Sequence, residues 1–306
     1  MTAQRSVTTL SIRAWSHYLL AVHDGAELPS LEARLAAVAR ERYRRIDRFI
    51  ALAIVGAGEC VARATLSKDC GLYLASGVGP VGSNTQVQEQ LCRDRLTPKP
   101  FNFVNTLGSA AGHYVGKNLG LSGQNLFLTS RGHAFQTALQ VAAADLELGI
   151  VPQALVGAVE ECALPLTIHR KRQSLAPDVL LAEGSHWLLL EPYGARTNPS
   201  TFAASPTSKD LSWHRTFEVE RADGVEALAR RARARSGAWM FSHTAEAGRA
   251  RSWADAIAPQ RALAPSTASH DSRDAALLTG WLAEHPDDPL THATPLGRAG
   301  ALLLSL

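Results

Sequence analysis

Gln124-Asn-Leu-Phe-Leu-Thr-Ser-Arg-Gly-His-Ala-Phe135 is a strand that runs into a helix, and the turn between them governs how the rest of the chain is read. The apolar run Leu126, Phe127 and Leu128 meets Thr129, Ser130, Arg131 and Gly132. Beyond it Ala134, Ala138, Val141, Ala142 and Asp145 continue at helical spacing as far as Gly149. A sharp strand-to-helix turn is a place where a fold can present a nucleophile. Here no cysteine stands in it, so the stretch reads as an active-site elbow without its reactive side chain.

Composition bounds the problem. The chain has 306 residues, 46% hydrophobic and 19% charged, enough for a large core in one big domain or two fused halves. The net charge is +3, with arginines gathered in two patches, Arg40 to Arg48 and Arg230 to Arg235, both expected on helices. Neither patch has a nucleic-acid motif, so solvated helix faces are expected and no nucleic-acid partner. Cys60, Cys70, Cys92 and Cys162 form no CxxC pair and have no histidine at ligand spacing, which predicts free thiols, no metal and no cofactor. No apolar run approaches the roughly 18 residues of a membrane span, and no basic-plus-apolar leader opens the chain. A cytoplasmic protein without a membrane partner is the expectation.

Strands and helices alternate. Ser30 to Ala39 and Asp47 to Thr65 read as helices, the second placing Ile50, Ala53, Ile54 and Val61 on one face. Gly71 to Gly77 is a short apolar strand, and Gly77-Val-Gly-Pro-Val-Gly82 is a strand-to-loop turn, since neither phosphate-loop nor dinucleotide spacing is present. Asn105 to Leu119 is a helix of small residues. Gln153 to Val159 and Glu183 to Glu191 are strands, the former apolar throughout as in a buried sheet. A polar stretch from Tyr193 to Ser208 follows. Trp213 to Glu220, Ala238 to Phe241 and Ala299 to Leu306 then read as strands, with helices over Gly224 to Arg235 and Asp271 to Glu284. This alternation argues a layered α/β fold.

Tyr43-Arg-Arg-Ile-Asp-Arg-Phe49, the glycine-ended strand at Gly71 to Gly79, the helix carrying Asn105 and Gly112, Leu119-Gly-Leu-Ser-Gly123, Asp145 to Gly149, Ala154-Leu-Val-Gly-Ala-Val-Glu160 and Ala182-Glu-Gly-Ser185 occur in an order that resembles the β-ketoacyl synthases. The resemblance covers roughly residues 40 to 192. It implies a thiolase-like αβαβα fold with a near-complete N-terminal half and an abbreviated C-terminal half. The division expected is a ketosynthase-like half over 1–195, a linker or surface loop over 196–210, and a reduced second half over 211–306.

In the family the acyl-accepting cysteine stands at a fixed distance before the glycine that ends the elbow helix. Seventeen residues before Gly149 is Gly132, which cannot form a thioester. A slip of one or two residues offers Arg131 or Ser130, and His133 is a capping or core histidine rather than a base for that serine. His243 and His270 resemble the family's two histidines, without the glycine-rich loop around the first or the lysine before the second.

Ketosynthase relatives that lack the cysteine are chain-length factors, which pair with an active ketosynthase. The resemblance therefore implies a catalytically inactive subunit with an active ketosynthase and an acyl carrier protein as partners. Leu126, Phe127, Leu128 and Thr129 would then lie at the two-chain seam, and Arg131, His133, Ala134, Phe135 and Ala138 near the tunnel. The alternative is altered chemistry: malonyl decarboxylation by His243 and His270, or acyl transfer by Ser130.

Overall fold

The computed structural model describes residues 7–25, 27–194, 215–223, 225–235, 237–241, 272–296 and 300–306. In the first part β1 (Thr8–Val22), α1 (Glu32–Val38) and α2 (Arg48–Val61) lead to β2 (Gly71–Ser76). Next come α3 (Val81–Cys92), α4 (Pro100–Asn105), α5 (Gly108–Leu119), β3 (Asn125–Thr129), α6 (Ala134–Glu147), β4 (Ala154–Glu160), α7 (Leu166–Gln173) and β5 (Leu181–Pro192). The second part holds β6 (Arg215–Ala222), α8 (Val225–Ala234), β7 (Ala238–Phe241), a helix α9 (Arg273–Glu284), β8 (Leu290–Leu296) and β9 (Gly300–Ser305).

The strands form one sheet in the order β3-β2-β4-β5-β1-β6-β9-β8-β7. β2 is parallel to β3 and β4, β5 is antiparallel to β4 and β1, and β1 pairs antiparallel with β6 at the centre. From that centre the two arms mirror each other. β1, β5, β4 and β2 on one side correspond to β6, β9, β8 and β7 on the other, and β3 has no counterpart among the described residues. Among the described residues the second arm is thus one strand shorter than the first.

Side-chain alternation along the strands builds the layers. Leu72, Leu74, Leu155, Val159, Trp187 and Leu189 face α2 and α5 on one side of the first arm. Their neighbours Tyr73, Ala75, Val156, Ala158, Leu188 and Leu190 share a second core with α6, with α9 and with Phe217, Val219, Leu302 and Leu304 of the other arm. Trp239, Ala293, Ala301 and Leu303 face α8 beyond it. Helix, sheet, helix, sheet, helix is the resulting sequence of layers, the thiolase-like arrangement. The middle helices α6 and α9 sit between the two halves.

Several expectations need correction. Residues 40–47 are not helical: Arg45 has φ 61, left-handed and incompatible with continuing a helix, and Asp47 caps α2 by accepting from the Ile50 amide at 2.8 Å. Arg48, the first helical residue, is held by Glu183 at 2.6 Å. In the second patch Arg230 and Arg233 are exposed, as expected of a solvated face, but Arg231 and Arg235 pair with Glu220 and Arg235 also with Glu218. The glycine segment after β2 does not end in a loop but turns into α3, a polar helix whose buried residues are only Ser83 and Val87. β1, α3, α4, α7 and β8 have no counterpart in the sequence reading, and the helix expected from Asn105 begins at Gly108. The expected linker over 196–210 lies outside the described residues.

Candidate functional site

Because β2, β3 and β4 are parallel, their last residues Ser76, Thr129 and Glu160 lie at one end of the sheet. The turn after β3 is the elbow. Ser130 ties it to β2 by donating its amide to the Ser76 carbonyl at 3.3 Å, and its own carbonyl accepts from the amides of His133 and Ala134. Gly132 is buried with φ 75, the left-handed region that glycine enters without steric cost. His133 occupies the N-cap of α6, but its side chain makes no capping bond. Ser130 Oγ has no hydrogen-bonded base among the described residues, so no serine–histidine pair is assembled at the elbow.

Two adjacent carboxylates close β4, and the strand's alternation sends them to opposite faces. Glu160 is buried on the middle-layer side, accepting from Ser76 Oγ at 3.0 Å, Ser272 Oγ at 2.8 Å and the Gly77 amide. Ser272 directly precedes α9, so this carboxylate ties the two halves together behind the elbow. Glu161 points outward and accepts from the Gly82 amide at 2.7 Å. Burial, with Asp47 next in importance, pushes its carboxyl up to about 8. Asp47 itself is raised by burial despite the Ser83 hydroxyl that it accepts.

A second buried polar group spans the seam. Gln136, on the first turn of α6, donates to Asp274 of α9 and to Thr294 of β8. His292 Nε2 stands 3.4 Å from Asp274 Oδ1, an ion-pair distance without hydrogen-bond alignment, and its Nδ1 meets Thr294 Oγ1 at 3.3 Å. Sequence reasoning missed Glu160, Gln136, Asp274 and His292. A carboxylate pair ending an otherwise apolar strand was the available signal, since such groups are buried only when held by donors.

The remaining sequence-predicted residues divide by face. Leu126 and Leu128 pack partly into the middle core, while Phe127 turns outward against Gly108 and edge-on to Phe49, ring centroids 6.4 Å apart. Thr129 and Arg131 are exposed. Ala134, Phe135 and Ala138 are buried in the middle core. His243 and His270 lie outside the described residues.

Among the described residues β3 ends the sheet with one edge unpaired, and next to it runs an exposed apolar surface. Phe101, Phe103, Val104 and Leu107 are 46%, 59%, 46% and 51% exposed. The guanidinium of Arg45 lies over the Phe101 ring, 4.8 Å from its centroid, which joins the basic 40–45 loop to that surface. Among the described residues no group of three or more His, Cys, Asp or Glu is placed to hold a metal ion, and no helix is long and apolar enough to cross a membrane.

Residues 16–175, just over half of the chain, match the family model for the N-terminal domain of β-ketoacyl synthases. None of the curated proteins compared matches the chain. Among solved structures, "the ishigamide ketosynthase/chain length factor" is similar with a TM-score of 0.64 at 16% identity, over 97% of this chain and 98% of that one. AntDE:AntF, a type II polyketide synthase acyl-carrier protein in complex with its ketosynthase bound to the hexaketide, reaches 0.63 at 13% identity over 97% and 99%. The ketosynthase ApeO in complex with its chain length factor ApeC, from Xenorhabdus doucetiae, reaches 0.53 at 13% identity over 97% and 99%. At such identities the likeness is one of fold.

Proposed function

The chain belongs to the β-ketoacyl synthase family, and we propose that within it this protein is a catalytically inactive, chain-length-factor-like subunit that pairs with an active ketosynthase and shapes its acyl tunnel. The observation that carries the reading is the elbow. Its strand, turn and helix are intact, yet the buried, left-handed position is Gly132, and the neighbouring Ser130 has no base. A scaffold retained without its nucleophile contributes shape rather than covalent chemistry.

The partner surface in this reading is β3 with the apolar ground beside it. Asn125-Leu-Phe-Leu-Thr129 carries no charge and no proline, so nothing in its sequence blocks edge-to-edge pairing. Backbone pairing along that edge, extended over Phe101, Phe103 and Leu107, would give an obligate-type contact. Arg40, Arg42, Arg44 and Arg45, all exposed, supply a basic surface for an acidic acyl carrier protein. Polyketide, aryl-polyene or fatty-acid-like synthesis in the cytoplasm is the setting we assign. The division into 1–195, 196–210 and 211–306 is part of the same reading.

Co-expression with candidate ketosynthases tests it, the expected outcome being a stable complex that co-purifies at equal stoichiometry. A monomer or homodimer indifferent to every ketosynthase sinks the reading. So does a covalent acyl adduct on Ser130, found by mass spectrometry after incubation with acylated carrier protein.

A further inference from the structure

At the far end of the sheet from the elbow, the outer face holds a cavity of about 670 Å³ between β1 and the ends of α1 and α2. It lies beside Thr65 and Gln153, which precede the parallel strands, and Glu191 at the end of β5. A strand length, roughly 20 Å, separates it from the elbow. Its size is that of a small-molecule site.

The backbone directs a cation into it. In the β1–β5 ladder Ile12 pairs with Leu190 and Ala14 with Leu189, so Arg13 is the extra residue of a β-bulge. Such a bulge re-aims a side chain. Here Arg13 joins Ala14 among the cavity-lining residues. Its Nε is 3.3 Å from Glu191 Oε2, while Glu191 Oε1 accepts from Gln153 Nε2 at 2.7 Å. Burying such a pair costs desolvation, so it marks a position where a fixed guanidinium serves something beyond packing.

Charge accounting narrows the ligand. Arg13 is balanced by Glu191, and Glu59 by the bidentate Arg34 at 2.9 and 2.7 Å. Arg63, exposed at the rim, has no carboxylate partner among the described residues. One positive charge is left over. Apolar wall is supplied by Ala14, Val38, Cys60 and Ala62. We propose that this cavity binds a monoanionic amphiphile, a medium-chain carboxylate whose head group takes hydrogen bonds from Arg13 and Arg63 and whose tail lies against that wall. A guanidinium fork matches a carboxylate in geometry, and a single uncompensated charge matches a monoanion better than a phosphate dianion.

The test uses the full chain and decanoate, below its micellar concentration, in titration calorimetry and thermal-shift measurements, with decanol and decylamine as controls. Saturable decanoate binding is expected, with decanol at least about tenfold weaker, the loss of one charge-assisted hydrogen bond, and decylamine silent. Arg63→Ala and Arg13→Lys should each weaken decanoate several-fold, the second keeping a cation beside Glu191. Ala37→Phe, at an exposed position on the cavity wall, should abolish binding while leaving the melting temperature of the free protein unchanged. Equal binding of decanoate and decanol, saturation only in the micellar range, or decanoate binding indifferent to Arg13→Lys and Ala37→Phe would each overturn the proposal. Since the site is remote from the elbow, its failure leaves the ketosynthase partnership untouched, and the reverse also holds.

Discussion

Gly132 stands where the backbone must turn left-handed, and the consequence is measurable. An L side chain at φ 75 costs about 1–2 kcal/mol, so Gly132→Ala should lower the unfolding free energy by that amount in urea, with an unchanged m value. A neutral substitution would mean that the turn is relaxed and not an elbow. Glu160 is the second residue of consequence, because three donors among the described residues converge on it. Glu160→Ala leaves the Gly77 amide and two serine hydroxyls without that acceptor and should cost about 3 kcal/mol, whereas Glu160→Gln keeps a carbonyl and should cost less. Equal losses from the two variants would show that the cost is one of volume and not of hydrogen bonding. The turn at Gly132 was legible in the sequence through the apolar strand, the glycine and the helical spacing that follows. Glu160's role was not, since its partner Ser272 is 112 residues away and only the assembled seam brings them together.

Elements were legible where one local pattern ran unbroken. β2 and β4 have continuous apolar runs, and β5 one from Trp187 to Leu190, because both faces of the sheet are covered, and α2 is apolar nearly all round for the same reason. β1 escaped detection despite its 15 residues because the bulge at Arg13 reverses its alternation. Leu10 and Ile12 face the middle core, but Ala14 and Tyr18 face the outer one. α3 escaped because a helix with so few buried residues has almost no periodic signal. The edge of β3 yields the prediction proper to this scale. Asn125 and Thr129 are exposed at its two ends, so the double variant Asn125→Lys/Thr129→Lys places charges at both ends of the open edge. It should abolish co-purification with the ketosynthase while the melting temperature of the isolated chain stays within about a degree of the parent. Undiminished pairing would remove β3 from the interface.

At the scale of the whole molecule, the repeat relating the two arms of the sheet resides in strand order and not in residue identity, which is why only the layered fold class was legible. What the assembled layers create beyond any element is a set of buried ionisable groups, and these set how stability depends on pH. Glu161, pushed up to about 8, keeps a proton in the folded chain over a range where the unfolded carboxyl, with its ordinary value of 4.5, has lost it. The folded state then binds more protons, so this contribution is complete below about 4.5 and is lost as pH rises towards about 8. His17 acts in the opposite sense. Burial lowers it from 6.5, against a smaller opposing effect of Glu284, and it meets Thr279 Oγ1 at 2.9 Å with His186 also bound to that oxygen. The unfolded imidazole takes up a proton first, so stability from this group is complete above 6.5 and falls as pH drops below it. Melting temperature should therefore decline on both sides of an intermediate pH. Glu161→Gln preserves a carbonyl for the Gly82 amide but removes the titration. It should remove the fall in stability that Glu161 contributes between about pH 4.5 and 8 and leave that of His17 below 6.5. Parallel profiles for parent and variant across that interval would show that Glu161 is ionised in the folded protein.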